Sequence, residues 1–332
     1  MVFVTGGTGL VGSRLIFDLV NKGEDVTALI RHETSINKFI SLIKYYTDKP
    51  NIISDKINWV RGDLLDIDTL FEVIPNGASV FHCAAEVSFN PKDKDIINDI
   101  NISGTANIVD VCLTKNINKL CYVSSIGALG RDLTKDTIDE DTPWNSFGKS
   151  VYSLSKYYAE IEVWRGSAEG LNVVIVNPAV ILGAGNWQKG SSKLYTTVHN
   201  GIKYYTLGTT GYVDVRDVTK VMILLMDLNI FNERFILSAE VLSFKQLFTK
   251  IAKSINIRPP HKYASPLITN LAYKLDYLKS LIFKTKPQIT KQVHKMSHSK
   301  NVYISDKIKN RLDFIFKDID DTINFIGECY KR

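Results

Sequence analysis

The chain has 332 residues, 45% of them hydrophobic and 23% charged, which is the composition of an ordinary soluble globular protein. No basic and apolar leader pattern precedes the first strand, and the longest central apolar run, residues 221–226, is far shorter than the roughly 20 residues of a membrane span. The four cysteines form no C-x-x-C pair, so we expect reduced thiols in a cytoplasmic protein and neither a zinc knuckle nor a disulfide framework.

The net charge of +6 is concentrated in one stretch of the chain. Between His261 and Lys300 there are eight lysines and one acidic residue, so the other residues together are nearly neutral. No zinc-finger spacing or aromatic RNA-binding signature accompanies these lysines. We expect a small-molecule substrate and no nucleic acid as partner, and a monomer or a homodimer.

In the first half of the chain, short apolar segments alternate with segments of helical periodicity. Strands are predicted at Val2–Val4, Asp25–Ile30, Ile57–Arg61, Ser79–His82, Leu120–Ser124 and Val173–Val176. Helices are predicted at Ser13–Lys22, Ser35–Tyr46, Asp66–Val73, Asp93–Lys115 and Tyr152–Glu169. This alternation predicts an α/β fold, a Rossmann-type doubly wound parallel sheet with helices on both faces.

After Gly183 the alternation becomes irregular, beginning with a glycine-rich loop to Gly190. Short strands are predicted at Lys203–Thr206 and Arg234–Leu237, and helices at Asp217–Leu228, Phe244–Ile255, Pro266–Phe283 and Asp318–Tyr330. We therefore expect a dinucleotide-binding domain over residues 1–183, to which segments within about 203–237 return. Residues 184–332 are expected to form mainly a smaller substrate-binding lobe over the carboxyl edge of the sheet.

Residues 1–12 join the first strand to the first helix through a glycine-rich turn. Gly6 permits the tight turn, Gly9 lets the backbone approach a pyrophosphate, and Gly12 lets the helix pack close to the strand. The first amides of a helix lack intrahelical partners, so this turn predicts a phosphate site. The spacing is G-x-x-G-x-x-G, and an ordinary βα turn is the simpler alternative.

Tyr152 and Lys156 stand four residues apart on a predicted helix, which places both side chains on one face. A phenol beside an ammonium group has its anion favoured, so the pKa of Tyr152 is expected to fall toward the working pH. Ser124 and Ser125 end the fifth strand, where a hydroxyl could bind the same substrate oxygen. The Y-x-x-x-K spacing is also common by chance, and a serine at this place also suits a turn or a helix cap.

Eight motifs, in order along about two thirds of the chain, resemble those of the extended short-chain dehydrogenases/reductases of the NAD-dependent epimerase/dehydratase superfamily. The motifs are T-G-G-T-G-L-V-G (5–12), G-D-L (62–64), H-C-A-A (82–85), N-I-S-G-T (101–105), Y-V-S-S (122–125), Y-S-L-S-K (152–156), N-P-A-V-I-L-G (177–183) and Y-V-D-V-R-D-V (212–218). The segment V-T-A-L-I-R is most similar to the dihydroflavonol-reductase-like and 3β-hydroxysteroid-dehydrogenase-like branch.

The resemblance implies catalytic roles for residues at matching positions. Tyr152 matches the acid/base, and Lys156 matches the residue that tunes it and holds the nicotinamide ribose. Ser125 matches the catalytic serine, with Ser124 as the alternative. Asn101 matches an asparagine that supports a proton-relay water, although an asparagine at a helix bend fits the pattern nearly as well.

The resemblance also implies cofactor contacts. Asp63 matches the carboxylate that meets the adenine amino group, and a turn aspartate is its alternative interpretation. The other implied contacts are Gly6, Thr8, Gly9, Leu10, Val11, Gly12, Leu64, Ala84, Ala85, Lys156, Pro178, Val180 and Ile181. An NAD site usually has an acid at the end of the second strand, whereas an arginine there accommodates the 2′-phosphate of NADP. Arg31 holds this place, so NADP is expected, with NAD as the alternative.

These features predict an NAD(P)-dependent oxidoreductase acting on CH–OH or C=O groups. The favoured reaction is the NADPH-dependent reduction of a ketone or aldehyde, or its reverse, on a substrate with an apolar part. A nucleotide-sugar epimerase or dehydratase is the first alternative, but such enzymes usually retain NAD, which Arg31 disfavours. A cofactor-binding protein without turnover is the second, but such proteins tend to lose the tyrosine or the lysine.

The basic stretch contains an amphipathic helical pattern. Five residues of Pro266–Phe283 share one face, Leu267, Leu271, Leu275, Leu278 and Ile282, while Lys274, Lys279, Tyr273 and Tyr277 lie off this apolar stripe, and Lys284, Lys286, Lys291 and Lys295 follow. Such a helix could lie on an anionic membrane surface. We favour the alternative, in which the stripe packs on the substrate lobe and the lysines face water.

His294 and His298 are spaced four apart, as metal ligands on a helix are. They lack the glutamate of H-E-x-x-H and a third ligand, so we expect solvated histidines and no metal.

Overall fold

The computed structural model describes residues 1–88, 90–132, 134–135, 137–146, 148–283 and 290–332. The strands are β1 Val2–Thr5, β2 Val26–Ile30, β3 Ile57–Arg61, β4 Ser79–His82, β5 Lys119–Val123, β6 Thr137–Ile138, β7 Val173–Pro178, β8 Val180–Leu182, β9 Tyr204–Tyr205, β10 Thr209–Asp214, β11 Glu233–Leu237, β12 Glu240–Ser243, β13 Lys262–Tyr263 and β14 Val302–Tyr303. The helices are α1 Leu10–Asn21, α2 Ile36–Ile43, α3 Pro50–Asp55, α4 Ile67–Val73, α5 Lys94–Asn98, α6 Gly104–Thr114, α7 Val151–Ala168, α8 Lys193–His199, α9 Val215–Asp227, α10 Phe244–Ser254, α11 Pro266–Ile282, α12 Lys291–Met296, α13 Asp306–Leu312 and α14 Ile319–Lys331.

The main sheet of the described residues has seven strands in the order β11-β7-β5-β4-β1-β2-β3. Every neighbouring pair in it is parallel. The chain leaves β1 toward β2 and β3 and then returns to β4 on the other side of β1, so the strand order reverses between β1 and β4. Doubly wound sheets bind ligands at such a switch point, beyond the carboxyl ends of the strands. The predicted Rossmann-type fold is thus confirmed.

Both faces of this sheet are buried, as the continuous apolar strands predict. Val4 packs on one face with α1 and α9. Phe3, the preceding residue, packs on the other face with α6 and α7, because successive strand side chains point to opposite sides.

The helix predicted over Asp93–Lys115 is interrupted in the structure. A π-helical turn at Asp99–Ser103 separates α5 from α6. Such a turn inserts one extra residue into the helical repeat, which a periodicity of 3.6 residues cannot reveal. Asn101 lies inside this turn, and its contacts explain the interruption, as described below.

The second half of the chain builds a further core beside the main sheet. A sheet of order β12-β10-β8 packs with α10 and α14 around Tyr195, Tyr212, Leu247 and Ile323. Within residues 203–237, β11 joins the main sheet, and α9 packs on it. The first part of that segment does not return, because β9 pairs with β13 in a separate two-stranded sheet. The division into two domains stays a prediction.

Helix α11 forms as predicted, but it does not pack through its apolar stripe. The five stripe side chains are between 54% and 81% exposed. The favoured interpretation, in which this stripe packs on the substrate lobe, is therefore wrong for the structure. No helix in the described ranges has the length and apolarity of a membrane span.

Candidate active site

The glycine turn brings the backbone of β1 and α1 against the exit of β4. Gly6 has a φ of 71°, in the left-handed region, and a Cβ on it would lie 2.6 Å from the Ala84 amide nitrogen. A Cβ on Gly12 would lie 2.3 Å from the Gly6 carbonyl oxygen. Gly9 donates its N–H to Gly6 O at 2.9 Å and precedes α1 as an N-cap without a side chain. The turn is a glycine-rich cradle at a helix N-terminus, which suits a phosphate.

A cavity of about 290 Å³ lies at this turn, along the carboxyl ends of β1 to β4. Eight residues predicted from the motifs line it: Gly6, Thr8, Gly9, Arg31, Asp63, Leu64, Ala84 and Ala85. Seven others lie outside its lining: Leu10, Val11 and Gly12 at the start of α1, Lys156 in α7, and Pro178, Val180 and Ile181 in β7 and β8. Asp63 also accepts the Leu65 N–H at 3.0 Å, so it makes the turn contact as well as lining the cavity.

The far rim of the cavity is basic. Arg31 follows β2, and Ser35 and Lys38 lie at the start of α2; all three line the cavity, whereas Glu33 does not. Motif matching missed Lys38. The signal that could have found it is its place in the first turn of the helix after β2, seven residues beyond Arg31.

A buried chain of hydrogen bonds runs from the glycine turn toward the π-helical turn. Thr5 Oγ1 lies 2.6 Å from His82 Nδ1 and accepts the Ala84 N–H at 3.2 Å. His82 Nε2 lies 3.0 Å from Thr105 Oγ1, which donates to Asn101 O at 2.6 Å. Because the Thr105 hydroxyl proton is used on Asn101 O, His82 donates from Nε2 and accepts at Nδ1. Burial lowers the pKa of His82 to about 3, which agrees with this neutral tautomer.

Asn101 joins the loop after β4 to helix α7. Its side-chain nitrogen donates to Glu86 O at 3.0 Å and to Ser155 Oγ at 2.9 Å, and its side-chain oxygen accepts the Glu86 N–H at 2.7 Å. These three bonds, made from the π-helical turn, link that turn to the loop after β4 and to α7, which is a structural role for Asn101 at a helix bend. A proton-relay water at this residue stays a prediction.

The two serines after β5 have different partners. Ser124 is buried and donates to the Glu160 carboxylate at 2.6 Å. Ser125 accepts the Gly127 N–H at 3.0 Å, and its side chain lies beside Tyr152, where it acts to lower the pKa of the phenol. The structure therefore joins Ser125, and not Ser124, to the tyrosine.

The Tyr152 phenol and the Lys156 ammonium group face different partners. Lys156 Nζ donates to Tyr122 OH and to Val123 O, both at 2.7 Å, and burial lowers the pKa of Lys156 to about 7. Burial raises the pKa of Tyr152, which Ser125 only partly opposes. The expectation that Lys156 lowers the pKa of Tyr152 is wrong for this structure, because β5 holds the ammonium group.

We expected solvated histidines, but His294 and His298 both make contacts within the protein. His294 Nδ1 and His298 Nε2 lie 2.9 and 2.7 Å from the Thr269 hydroxyl, so both link α12 and its exit to α11. Among the described residues, no group of three or more histidine, cysteine, aspartate or glutamate side chains has the arrangement of a metal site.

Comparison with known proteins agrees with this geometry. The family model "NAD dependent epimerase/dehydratase family" matches residues 2–234. The chain is 27% identical to sterol demethylase protein B of Methylococcus capsulatus over 74% of the chain and 71% of that protein. It is 24% identical to cinnamoyl-CoA reductase 1 of Petunia hybrida over 89% and 93%. The crystal structure of gox2253 superposes with a TM-score of 0.82 at 26% identity, covering 100% of this chain and 98% of that one. The fold, the glycine cradle and the match over residues 2–234 show that the chain belongs to the NAD-dependent epimerase/dehydratase family.

Proposed function

We propose that the protein is an NADPH-dependent reductase of a ketone or aldehyde on a substrate with an apolar part, or catalyses the reverse oxidation. The observation that carries the proposal is the approach of Ser125 to Tyr152 at the carboxyl edge of the sheet that holds the glycine cradle. A phenol and a serine hydroxyl that meet at one place can bind a single carbonyl oxygen and give it a proton.

The residues around the cradle fit a nicotinamide dinucleotide. The close approaches of Gly6 and Gly12 leave no room for side chains between the turn and its neighbours, and the N-terminus of α1 faces the cavity. Pyrophosphate is favoured there by the helix dipole and the first amides of α1. The cofactor, when bound, supplies the hydride.

The chain's own groups supply the proton and the orientation. Burial raises the pKa of Tyr152, so its phenol is protonated at neutral pH and is ready to donate to a carbonyl oxygen. Ser125 lies beside the phenol and partly opposes this rise in its pKa. Lys156 lies one helical turn after Tyr152 and is the candidate partner of the nicotinamide ribose. With a pKa of about 7, it gains or loses its charge near physiological pH.

The basic rim supports NADPH over NADH. Arg31 and Lys38 line the same cavity from the end of β2 and from α2, and neither forms an ion pair within the described part of the chain. An acid that would bind a ribose 2′-hydroxyl is missing from this part of the lining, since Glu33 does not line the cavity. This rim is the feature that favours a reductase over a nucleotide-sugar epimerase, which usually retains NAD.

The names of two relatives suggest what kind of apolar group the substrate carries. One is named for a sterol and the other for an aromatic thioester, and both names describe bulky apolar groups. We propose that residues 184–332 contribute most of the contacts to that group, in a monomer or a homodimer.

A screen of nicotinamide oxidation tests this function. Purified protein is mixed with NADPH or NADH and with aldehydes, sterol ketones, aromatic thioesters or UDP-sugars. Oxidation of NADPH with a carbonyl substrate, absent in Tyr152→Phe, is the expected result. Turnover of UDP-sugars with retained NAD, or cofactor binding without any turnover, would overturn the proposal.

A further inference from the structure

Helix α11 presents its hydrophobic stripe to the outside and its polar side to the protein. The stripe residues Leu267, Leu271, Leu275, Leu278 and Ile282 are exposed. The opposite side carries Thr269, Asp276 and Ser280, which are less exposed, and Ser280 is buried. An amphipathic helix that packed for stability alone would have the reverse orientation. Exposed contiguous apolar surface of this kind marks an interaction site.

The orientation of α11 is held by contacts at its polar side. Ser265 caps its N-terminus, and Ala264 just before it donates its N–H to Tyr205 O at 2.9 Å. Thr269 on the inner side lies within hydrogen-bond distance of both His294 and His298. Since its start and its inner face are tied to neighbouring elements, α11 cannot turn its stripe inward without breaking these bonds.

Charge on α11 borders the stripe on both sides. At about 100° per residue, the stripe spans about 80° of the helix, with Lys274 about 20° beyond one edge and Lys279 about 40° beyond the other. Both lysines are exposed. Asp276, the one acid between 261 and 300, lies about 100° beyond the stripe edge on the Lys279 side and is partly buried.

More lysines surround the helix. Lys262 precedes it, Lys291 and Lys295 lie on α12, and all three are exposed. Tyr277, which is 49% exposed, adds an amphipathic ring beside the stripe. Lys284 and Lys286 lie outside the described residues. This pattern of an apolar strip between lysines is that of a helix lying in the interface of an anionic bilayer.

We propose that α11 docks the protein on an anionic membrane surface, with its stripe among the acyl chains and its lysines at the lipid headgroups. A second copy of the chain is a poorer occupant, because two such faces would bring lysines against lysines without an acid between them. Helices α11 and α12 also lie near the segment that leads to α7. Lys295 Nζ on α12 lies 3.9 Å from the position that a Cβ on Gly148 would take. A membrane-docked α11 would thus sit beside the approach to Tyr152.

Vesicle flotation tests this docking. Full-length protein is floated with phosphatidylcholine vesicles with and without phosphatidylserine, at low and at physiological salt. Co-flotation is expected with phosphatidylserine at low salt, and weaker at physiological salt, because the Debye length falls from about 30 Å at 0.01 M to about 8 Å at 0.15 M. No co-flotation at low salt would overturn the proposal.

Two sets of variants separate the apolar from the charged contribution. Leu271→Glu should lower vesicle partitioning about tenfold or more, since it places a charge in the stripe. Ile315→Glu, at a side chain that is 88% exposed elsewhere, is its matched control and should partition like the wild type. Lys274→Glu and Lys279→Glu should each lower partitioning by about fivefold or more, and Lys56→Glu is their control.

The fold and the oligomeric state are measured in parallel. All the altered side chains are exposed, so we expect unchanged melting temperatures and unchanged cofactor binding. Equal flotation of wild type and Leu271→Glu would overturn the proposal. So would a wild-type dimer that Leu271→Glu converts to monomer without any flotation, which would assign the stripe to a second copy. Loss of activity in every assay leaves these readouts unaffected, so failure of the proposed reductase function is distinguishable.

Discussion

Helices α7 and α11 are nearly equal in length, at 18 and 17 residues, yet they depart from the usual burial pattern in opposite directions. Helix α7 buries Ser155, Lys156 and Glu160, which are polar or charged. Helix α11 exposes its leucines. Each departure lies at a place where we propose a function.

The two departures are stabilised differently. In α7 every one of the three buried polar side chains has a partner, such as Tyr122 for Lys156 and Asn101 for Ser155. Burying polar groups costs free energy unless they are hydrogen-bonded, so these bonds offset the cost of burying Lys156 and its polar neighbours in α7. The exposed apolar side chains of α11 gain a comparable partner only from outside the chain. The polar groups of a reaction site can thus be hydrogen-bonded within the protein, whereas the apolar face of a docking site stays exposed until a partner binds.

The largest effect should come from the hydroxyl of Tyr152, at the site that α7 organises. Tyr152→Phe keeps the ring and removes the proton donor, so turnover should fall by roughly 10² or more, while cofactor titration stays near normal. Tyr158→Phe is the matched control, since Tyr158 lies on the same helix and is 50% exposed. Near-normal turnover of Tyr152→Phe would break the comparison at its catalytic end.

Glu160 tests whether the buried polar groups of α7 are stabilised by their partners. Its carboxylate accepts from Ser124 at 2.6 Å and from Asn177 at 2.8 Å, and lies 3.2 Å from Arg234. Glu160→Gln loses the charge and should lower the free energy of unfolding by about 2 kcal/mol in urea denaturation.

Glu162→Gln on the same helix is the control, because Glu162 pairs with Arg165 at the surface. We expect a loss below about 1 kcal/mol there. Equal losses in the two variants would show that burial of Glu160 adds nothing.

The pKa of Lys156 should give stability a measurable pH dependence. Burial lowers this pKa from 10.5 to about 7 in the folded protein, so the unfolded chain binds more protons between these values. The group's contribution to stability is therefore complete above the unfolded pKa and is lost as the pH falls through the folded pKa. Above neutral pH, this group should raise the free energy of unfolding of the cofactor-free wild type by up to about 1.4 kcal/mol per pH unit. Lys156→Met should lack that slope in chemical denaturation. Parallel slopes would contradict a neutralised buried lysine.

We propose that cofactor preference depends on Arg31 and Lys38, which line a cavity. Arg31→Ala and Lys38→Ala should each weaken NADPH binding by about tenfold in a fluorescence titration, since each removes a charged partner of a 2′-phosphate. NADH binding should change little. Lys44→Ala, at the end of the same helix α2, is the control. Tighter wild-type binding of NADH than of NADPH would show that the rim has another role.

The smallest effect should be on the stability of α11. Leu271→Ser removes an exposed side chain and should change the free energy of unfolding by less than about 0.5 kcal/mol. Val163→Ser places a hydroxyl at a fully buried position of α7 and should cost about 2 kcal/mol or more in the same measurement. A large loss for Leu271→Ser would mean that the stripe packs within the protein.

Much of the fold was predictable because the signals are local. All seven strands of the main sheet were predicted, because most are short apolar runs, and the glycine spacing and the ordered motifs indicated the family. Lys38 could not be found this way, because its approach to Arg31 depends on how α2 lies against the end of β2.

Three features were decided only by the tertiary structure. The neighbouring serines look equivalent in sequence, but Ser124 donates to Glu160, whereas Ser125 lies beside Tyr152. The Y-x-x-x-K spacing puts two side chains on one face of a helix but does not say that Tyr122, from a strand, holds the lysine.

The stripe of α11 is the clearest case. Periodicity by itself determined which of its residues share a face, because the helical repeat is a property of the local backbone. It could not determine whether that face meets the protein or the solvent. The packing of the rest of the chain decided this, since the contacts of Thr269 with His294 and His298 hold the polar side inward.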